Sequence, residues 1–98
     1  MAVYMILDIE VTDPEGYKEY LKRSGPSVDQ YGGKFIVRGG QTTTLEGDWH
    51  PKRLVVIEFG SEEQANRWYN SPEYTEARAI RARTAKSVAI MALGYNPA

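Results

Sequence analysis

Arg38 and Glu58 are the two residues of this 98-residue chain whose types and placement most suit chemistry. Strict alternation in Lys34-Phe35-Ile36-Val37-Arg38 puts Phe35 and Val37 on one face and Ile36 and Arg38 on the other, while Glu58 shares a face with Leu54 and Val56. A guanidinium and a carboxylate on an otherwise apolar face need each other or a ligand, because an unpaired buried charge is costly. They read either as a structural ion pair that fixes register or a dimer, or as a working pair. In the second case Arg38 clamps a substrate carboxylate and Glu58 serves as base or hydrogen-bond acceptor. Tyr74, Arg78 and Arg81 recur at i, i+4 and i+7. That spacing can aim a phenol and two cations into one cleft, or lay a solvated face whose arginines pair with Glu73 and Glu76.

The remaining candidates are aromatic or titratable. Trp68 and Tyr69 fall on the inward stripe of a short helix, as core or as a ligand platform, and Tyr17 and Tyr20 face inward from an earlier helix. His50, the single histidine, is the one side chain whose ordinary pKa suits proton transfer near neutrality, and it lies in the loop Asp48-Trp49-His50-Pro51. The binding residues expected from this pattern are Arg38, Tyr17, Trp68, Tyr74, Arg78 and Arg81, with Glu58 and His50 as the weaker catalytic candidates.

Absent residues narrow the chemistry further. Without cysteine there is no disulfide, thiolate nucleophile or Cys-type zinc site, and one histidine builds no multi-histidine metal centre within a chain. No metal and no cofactor are therefore expected. Gly39-Gly40 opens no helix and lacks a third glycine or lysine in register, so it is no phosphate loop. A haem would want a ligating histidine better placed than a loop. The net charge of −1 leaves no electrostatic footprint for nucleic acid or an anionic membrane. The apolar start MAVYMILDIEV lacks a basic leader and meets Asp8 and Glu10 too early for a signal or spanning segment, so a cytoplasmic protein is expected.

These side chains are positioned by a short series of elements, which we read as one domain over residues 1–98. Val3, Met5, Leu7, Ile9 and Val11 share one face of a first strand. Asp13-Pro14-Glu15 is a cap, a proline at the first helical position and an acidic first turn. The helix that follows carries Gly25-Pro26, where a kink or short break is expected, and ends at Gly32-Gly33. A short strand to Arg38 leads into a long hairpin connection from Gly40 to Pro51, then a strand from Arg53 to Phe59 that is apolar on both faces. Ser61-Glu62-Glu63-Gln64 fits a capping box in which Gln64 reaches back to the amide of Ser61. Ser71-Pro72-Glu73 starts a second helical segment running to about Thr84, and a last strand spans Ser87 to Leu93.

The order βαββαβ is the split βαβ pattern of an α+β, ferredoxin-like fold, with four antiparallel strands and helices on one face. Ile6, Ile36, Leu54 and Val56 are then left on the other face. Each large aliphatic side chain forgoes roughly 1.5–3 kcal/mol if it stays wet, so a second copy packed sheet to sheet, a homodimer, is expected.

With those residues in place, the chain resembles domain-of-unknown-function family 1330, within the dimeric α+β barrel superfamily. The resemblance spans nearly the whole length. It rests on Asp13-Pro14-x-x-Tyr17-x-x-Tyr20, Tyr31-Gly32-Gly33-Lys34-Phe35, Arg38-Gly39-Gly40, Leu45-Glu46-Gly47, Pro51-x-Arg53, and Ile57-Glu58-Phe59 through Trp68-Tyr69-x-Ser71-Pro72-x-Tyr74. It implies a homodimer of two ferredoxin-like sheets with a cleft between sheet and helices in each subunit. It implies no reaction; related families on this barrel include cofactor-free monooxygenases, lactone isomerases and haem enzymes, an analogy of fold alone. Two functions follow as expectations. The first is a homodimer that binds, and in the manner of a cofactor-free monooxygenase or isomerase could act on, a small polar or anionic organic molecule in the cleft. The second is a non-enzymatic dimerisation module held by a structural Arg38–Glu58 pair.

Overall fold

A computed structural model describes residues 1–97. The strands β1 (Val3–Val11), β2 (Lys34–Arg38), β3 (Leu54–Phe59) and β4 (Ala85–Leu93) form one sheet in the order β2-β3-β1-β4, antiparallel at every pairing. The helices are α1 (Pro14–Gln30), α2 (Glu62–Tyr69) and α3 (Pro72–Thr84). The ferredoxin-like α+β expectation therefore holds, with β4 beginning two residues earlier than its alternation suggested and Arg53 lying just before β3.

Each helix begins where a side-chain oxygen replaces a missing backbone partner. Asp13 accepts from the Gly16 amide at 3.2 Å, Ser61 from Gln64 at 3.1 Å and Ser71 from Tyr74 at 3.1 Å. The capping-box glutamine departs from its expected partner. Gln64 accepts from the Gly60 amide at 3.2 Å, one residue before the cap, and its amide nitrogen donates to the Tyr31 carbonyl at 2.8 Å. It thus ties the start of α2 to the end of α1. The expected break at Gly25-Pro26 is also absent, since α1 runs through Pro26 without interruption. The carbonyl that Pro26 cannot serve belongs to Lys22, which is exposed, so water can satisfy it.

The core lies between the helices and one face of the sheet. Val3, Met5, Leu7 and Ile9 of β1 and Val55, Ile57 and Phe59 of β3 point into it, facing Tyr17, Tyr20 and Val28 of α1, Trp68 of α2, and Tyr74, Ala77 and Ile80 of α3. Trp68 is buried, stacks within 4.0 Å of the Tyr74 ring and donates its indole N–H to Ser27 at 3.1 Å. The apolar body fills the core while the polar edge is satisfied.

One irregularity redirects the site. Phe35 pairs with Ile57 but Val37 pairs with Val56, so β2 carries an extra residue at Ile36. Such a bulge reverses the facing of everything beyond it. Arg38 then stands opposite Val55, on the helix-facing side, instead of with Glu58. Glu58 keeps the other face, across from Tyr4 and Lys34.

The connection between β2 and β3 has no regular secondary structure and is anchored by Asp8. The carboxylate accepts from the Trp49 indole at 2.8 Å and from the Lys52 amide at 2.9 Å. Beyond this anchor the outer face of the sheet is uncovered: Ile36, Val88 and Ile90 are 46%, 66% and 60% exposed.

Candidate functional site

A narrow cleft opens between α1 and the helix-facing side of the sheet, with a cavity volume of about 20 Å³. That is room for about one water and well below the range of about 300–1,000 Å³ for small-molecule pockets, so an organic ligand enters only if the walls part. Its walls are apolar, with Leu7, Ile9, Val55 and Ile57 from the sheet, Leu21 and Val28 from α1, and Trp68 at the floor. The polar groups entering it are Tyr17, Tyr20 and Ser24 from α1 and the guanidinium groups of Arg38 and Arg53.

Arg38 reaches the cleft because of the bulge. Its guanidinium lies 4.1 Å from the centre of the Phe35 ring, a cation–π contact. It also passes close over α1 at Gly25, where an added Cβ would lie 3.1 Å from Nη2. The glycine that seemed a helix breaker is therefore a seat for Arg38. Arg53 arrives from the long connection and is fixed by its own carbonyl, which accepts from the Ile9 amide at 3.0 Å. Its guanidinium packs over Gly39, whose φ of +73° and lack of Cβ both make room for it. The segments Arg38-Gly39-Gly40 and Pro51-x-Arg53, distant in sequence, are thus one structure.

Arg81 comes from α3 and is 6% exposed. Its Nη1 donates to the Ser87 hydroxyl, and its Nε–H has no hydrogen-bond partner; the Nε–H of Arg53 is likewise buried and unpartnered. Among the described residues, the ion pairs are surface contacts such as Arg23–Glu76 and Arg67–Glu63, and none includes Arg38, Arg53 or Arg81.

Tyr17 stands among these cations. Burial pushes its phenol above the ordinary value, against the pull of Arg53, which also hydrogen-bonds to it, and of Arg81. Tyr20 is pushed up much further by burial and by the neighbouring Tyr74 hydroxyl, 2.9 Å away. Both phenols are neutral donors at physiological pH.

The structure sorts the sequence candidates. Arg38, Tyr17 and Trp68 line the cleft. Arg81 acts on its phenols from α3, and Tyr74 lies behind it, fully buried and bonded to Tyr20. Arg78 does not join them, because its guanidinium stacks 4.3 Å from the centre of the Tyr69 ring. Glu58 is on the opposite face, where it accepts from the Tyr4 hydroxyl and holds that phenol above its ordinary value. The expected Arg38–Glu58 pair therefore does not form. His50 is exposed, beside a shallow depression on the outer side of the sheet with Asp8, Trp49 and Lys86. The residue missed was Arg53. Its signal was the Pro51-x-Arg53 segment together with a glycine, Gly39, that only a close neighbour explains.

Chemically, the cleft offers cations and neutral phenols but no carboxylate or imidazole among its lining residues. It can bind and stabilise negative charge; it supplies no evident general base. No three or more His, Cys, Asp or Glu side chains among the described residues are grouped to hold a metal ion. No helix among the described residues is long and apolar enough to cross a membrane.

The model of a domain of unknown function, DUF1330, matches residues 2–95. The chain belongs to the DUF1330 family. No curated protein matches it by sequence. Among solved structures, a protein of unknown function from Rhodopseudomonas palustris superposes with a TM-score of 0.76 at 24% identity, covering 98% of this chain and 84% of that one. SnoaB, a cofactor-independent oxygenase from Streptomyces nogalater, superposes with a TM-score of 0.65 at 12% identity, covering 97% and 94%. A dimeric ferredoxin-like protein of unknown function from Thermobifida fusca gives a TM-score of 0.58 at 16% identity, covering 93% and 89%. At these identities the likeness is one of fold, a ferredoxin-like α+β sheet with its helices on one face.

Proposed function

We propose that this DUF1330 protein binds a small organic anion in the cleft between α1 and the sheet. The observation that carries the reading is that Arg38 and Arg53 enter one cleft with Tyr17, that Arg81 stands within electrostatic reach of the same phenol, and that no carboxylate pairs with any of the three cations. Arg81 is buried, Arg53 partly buried and Arg38 exposed, so the cost of a cation without an anion falls chiefly on Arg81 and in part on Arg53. The apolar walls suit the carbon body of such a ligand and the guanidinium groups its charge. Any reaction at this site would use the same property, stabilising an enolate or other oxyanion as it develops. The SnoaB fold is compatible with such chemistry and does not require it.

Thermal unfolding in the presence of small carboxylates tests the reading. Benzoate or a similar acid should raise Tm in a concentration-dependent manner, since a ligand of the folded state stabilises it by mass action. The corresponding neutral amide should not, and Arg53→Met should lose most of the shift. Equal shifts from acid and amide, or none from any acid, would overturn it.

The outer face of the sheet supports homodimerisation. Ile36, Val88 and Ile90 are exposed there beside Ile6, Leu54 and Val56, on a face that no helix covers. A second copy is a self-complementary cover for that face. The alternative, a non-enzymatic dimerisation module, needs no cavity, and within the chain its expected Arg38–Glu58 pair is not made. Sedimentation velocity should give a dimer for the wild type and a folded monomer for Ile90→Lys; a monomeric wild type at tens of micromolar would sink the proposal.

A further inference from the structure

The cleft beside Tyr17 is closed to an organic acid until its walls part, and its size and charge together suit a smaller resident; this rests on the anion-binding reading above. A cavity of about 20 Å³ exceeds the roughly 10–15 Å³ that one water needs and leaves no space for a second group. Whatever rests there without moving the walls is therefore a single atom or a water-sized molecule.

The lining decides between the two. Arg38 and Arg53 are its cations, Tyr17 and Ser24 add hydroxyls, and no Asp or Glu is among the lining residues. The hydroxyl of Tyr20 is engaged by Tyr74 at 2.9 Å. The carboxylates of α1 that form ion pairs, Glu15 and Glu19, do so with exposed lysines and Arg23, which leaves the cations of the cleft unpaired. Arg81, 6% exposed, adds its charge within electrostatic reach of Tyr17. A water would satisfy donors here but is neutral, so the partly buried charge of Arg53 would stay unanswered. An anion answers both needs. A carboxylate, with two oxygens on a carbon, exceeds the space, whereas a halide ion is one atom little larger than a water. The remaining walls are aliphatic side chains of β1 and β3 and the ring of Trp68. Such walls suit chloride and bromide, which hold their hydration water less tightly than fluoride does.

We infer that the closed cleft is a halide site, in which one chloride ion rests against Arg53 and Tyr17 and is displaced when an organic anion parts the walls. Chloride and the organic anion draw on the same cations, so they bind in competition.

Chlorine NMR of the full chain reads the site directly, because chloride exchanging with a protein site broadens its resonance. The wild type should broaden the line, benzoate should narrow it again, and benzamide should leave it unchanged. Arg53→Met should weaken chloride by roughly tenfold or more, the worth of one charged hydrogen bond. Because that change also removes packing over Gly39, Tyr17→Phe serves as a second variant. It keeps the ring in place and should weaken chloride several-fold in a protein that still unfolds cooperatively. Crystals soaked in bromide should show an anomalous peak beside Arg53 and Tyr17. A wild-type line no broader than that of Arg53→Met, or a bromide peak elsewhere alone, would mean that the cleft holds water and would overturn the halide inference. Broadening that persists at benzoate concentrations that raise Tm would overturn it equally, and in either case a benzoate-induced rise in Tm leaves the anion reading standing. Failure of both chloride and benzoate to bind a wild type that unfolds cooperatively would overturn both.

Discussion

On the helix-facing side of the sheet, Arg38 and Arg53 enter the cleft with Tyr17 and Arg81 stands within reach of that phenol, with no carboxylate paired to them, whereas on the outer side acids and bases stand across from one another on paired strands. Glu58 lies across from Lys34, Glu10 across from Lys86, and Asp8 is wrapped by the Trp49 indole and the Lys52 amide. The same strands supply both faces. The outer face is balanced in charge and lacks apolar cover, which a second copy of the chain can provide. The inner face is covered in its apolar part and carries unpaired cations, which the proposed anion would meet. The two needs differ in kind, so they point to different occupants.

The largest effect should come from removing the floor beneath the cations. Trp68→Ala leaves a cavity against Phe59 and Tyr74 and should cost about 3–5 kcal/mol of stability, measured by urea unfolding. A loss under about 1 kcal/mol would mean that α2 is not the floor of the cleft.

A smaller and more selective change is Gly39→Ala. The new Cβ meets Arg53 Nη1 and the φ of +73° is strained for any residue but glycine, so about 1–2 kcal/mol should be lost. The displaced Arg53 should also weaken carboxylate binding several-fold, beyond what the stability loss predicts. If affinity is unchanged, Arg53 does not belong to the site.

The smallest effect sharpens the comparison on the outer face. The slight burial of Asp8 would raise its pKa, but the Trp49 indole and the backbone amides of Lys52 and Arg53 outweigh that and hold the carboxyl below its ordinary value. Because the folded value is depressed, its stabilising contribution is complete above the unfolded value of about 3.9 and is lost as pH falls through the folded one. Trp49 fluorescence should therefore report release of the connection only in acid, below about pH 4. Asp8→Asn should loosen it at neutral pH at a cost of about 0.5–1 kcal/mol, screened by the exposure of the site. The inner cluster, having no acid of its own, should show no comparable transition in the free protein.

Much of this molecule was legible in its residues. Caps at Asp13, Ser61 and Ser71, period-2 strands and the inward stripes of the helices specify local structure, since each depends on neighbours within about four residues. Tyr17 and Trp68 were readable as inward-facing for the same reason, while Arg81 read equally as part of a solvated face. What only the tertiary structure decided is which charges meet. Alternation assigns a face only while the ladder stays in register, and the extra residue at Ile36 carries Arg38 away from Glu58 and into the cleft. Arg53 joins it because the connection brings Pro51-x-Arg53 back over Gly39, a contact between segments with no local pattern to reveal it. Side-chain type and period are properties of short stretches, whereas an uncompensated cluster of cations is a property of three elements packed together.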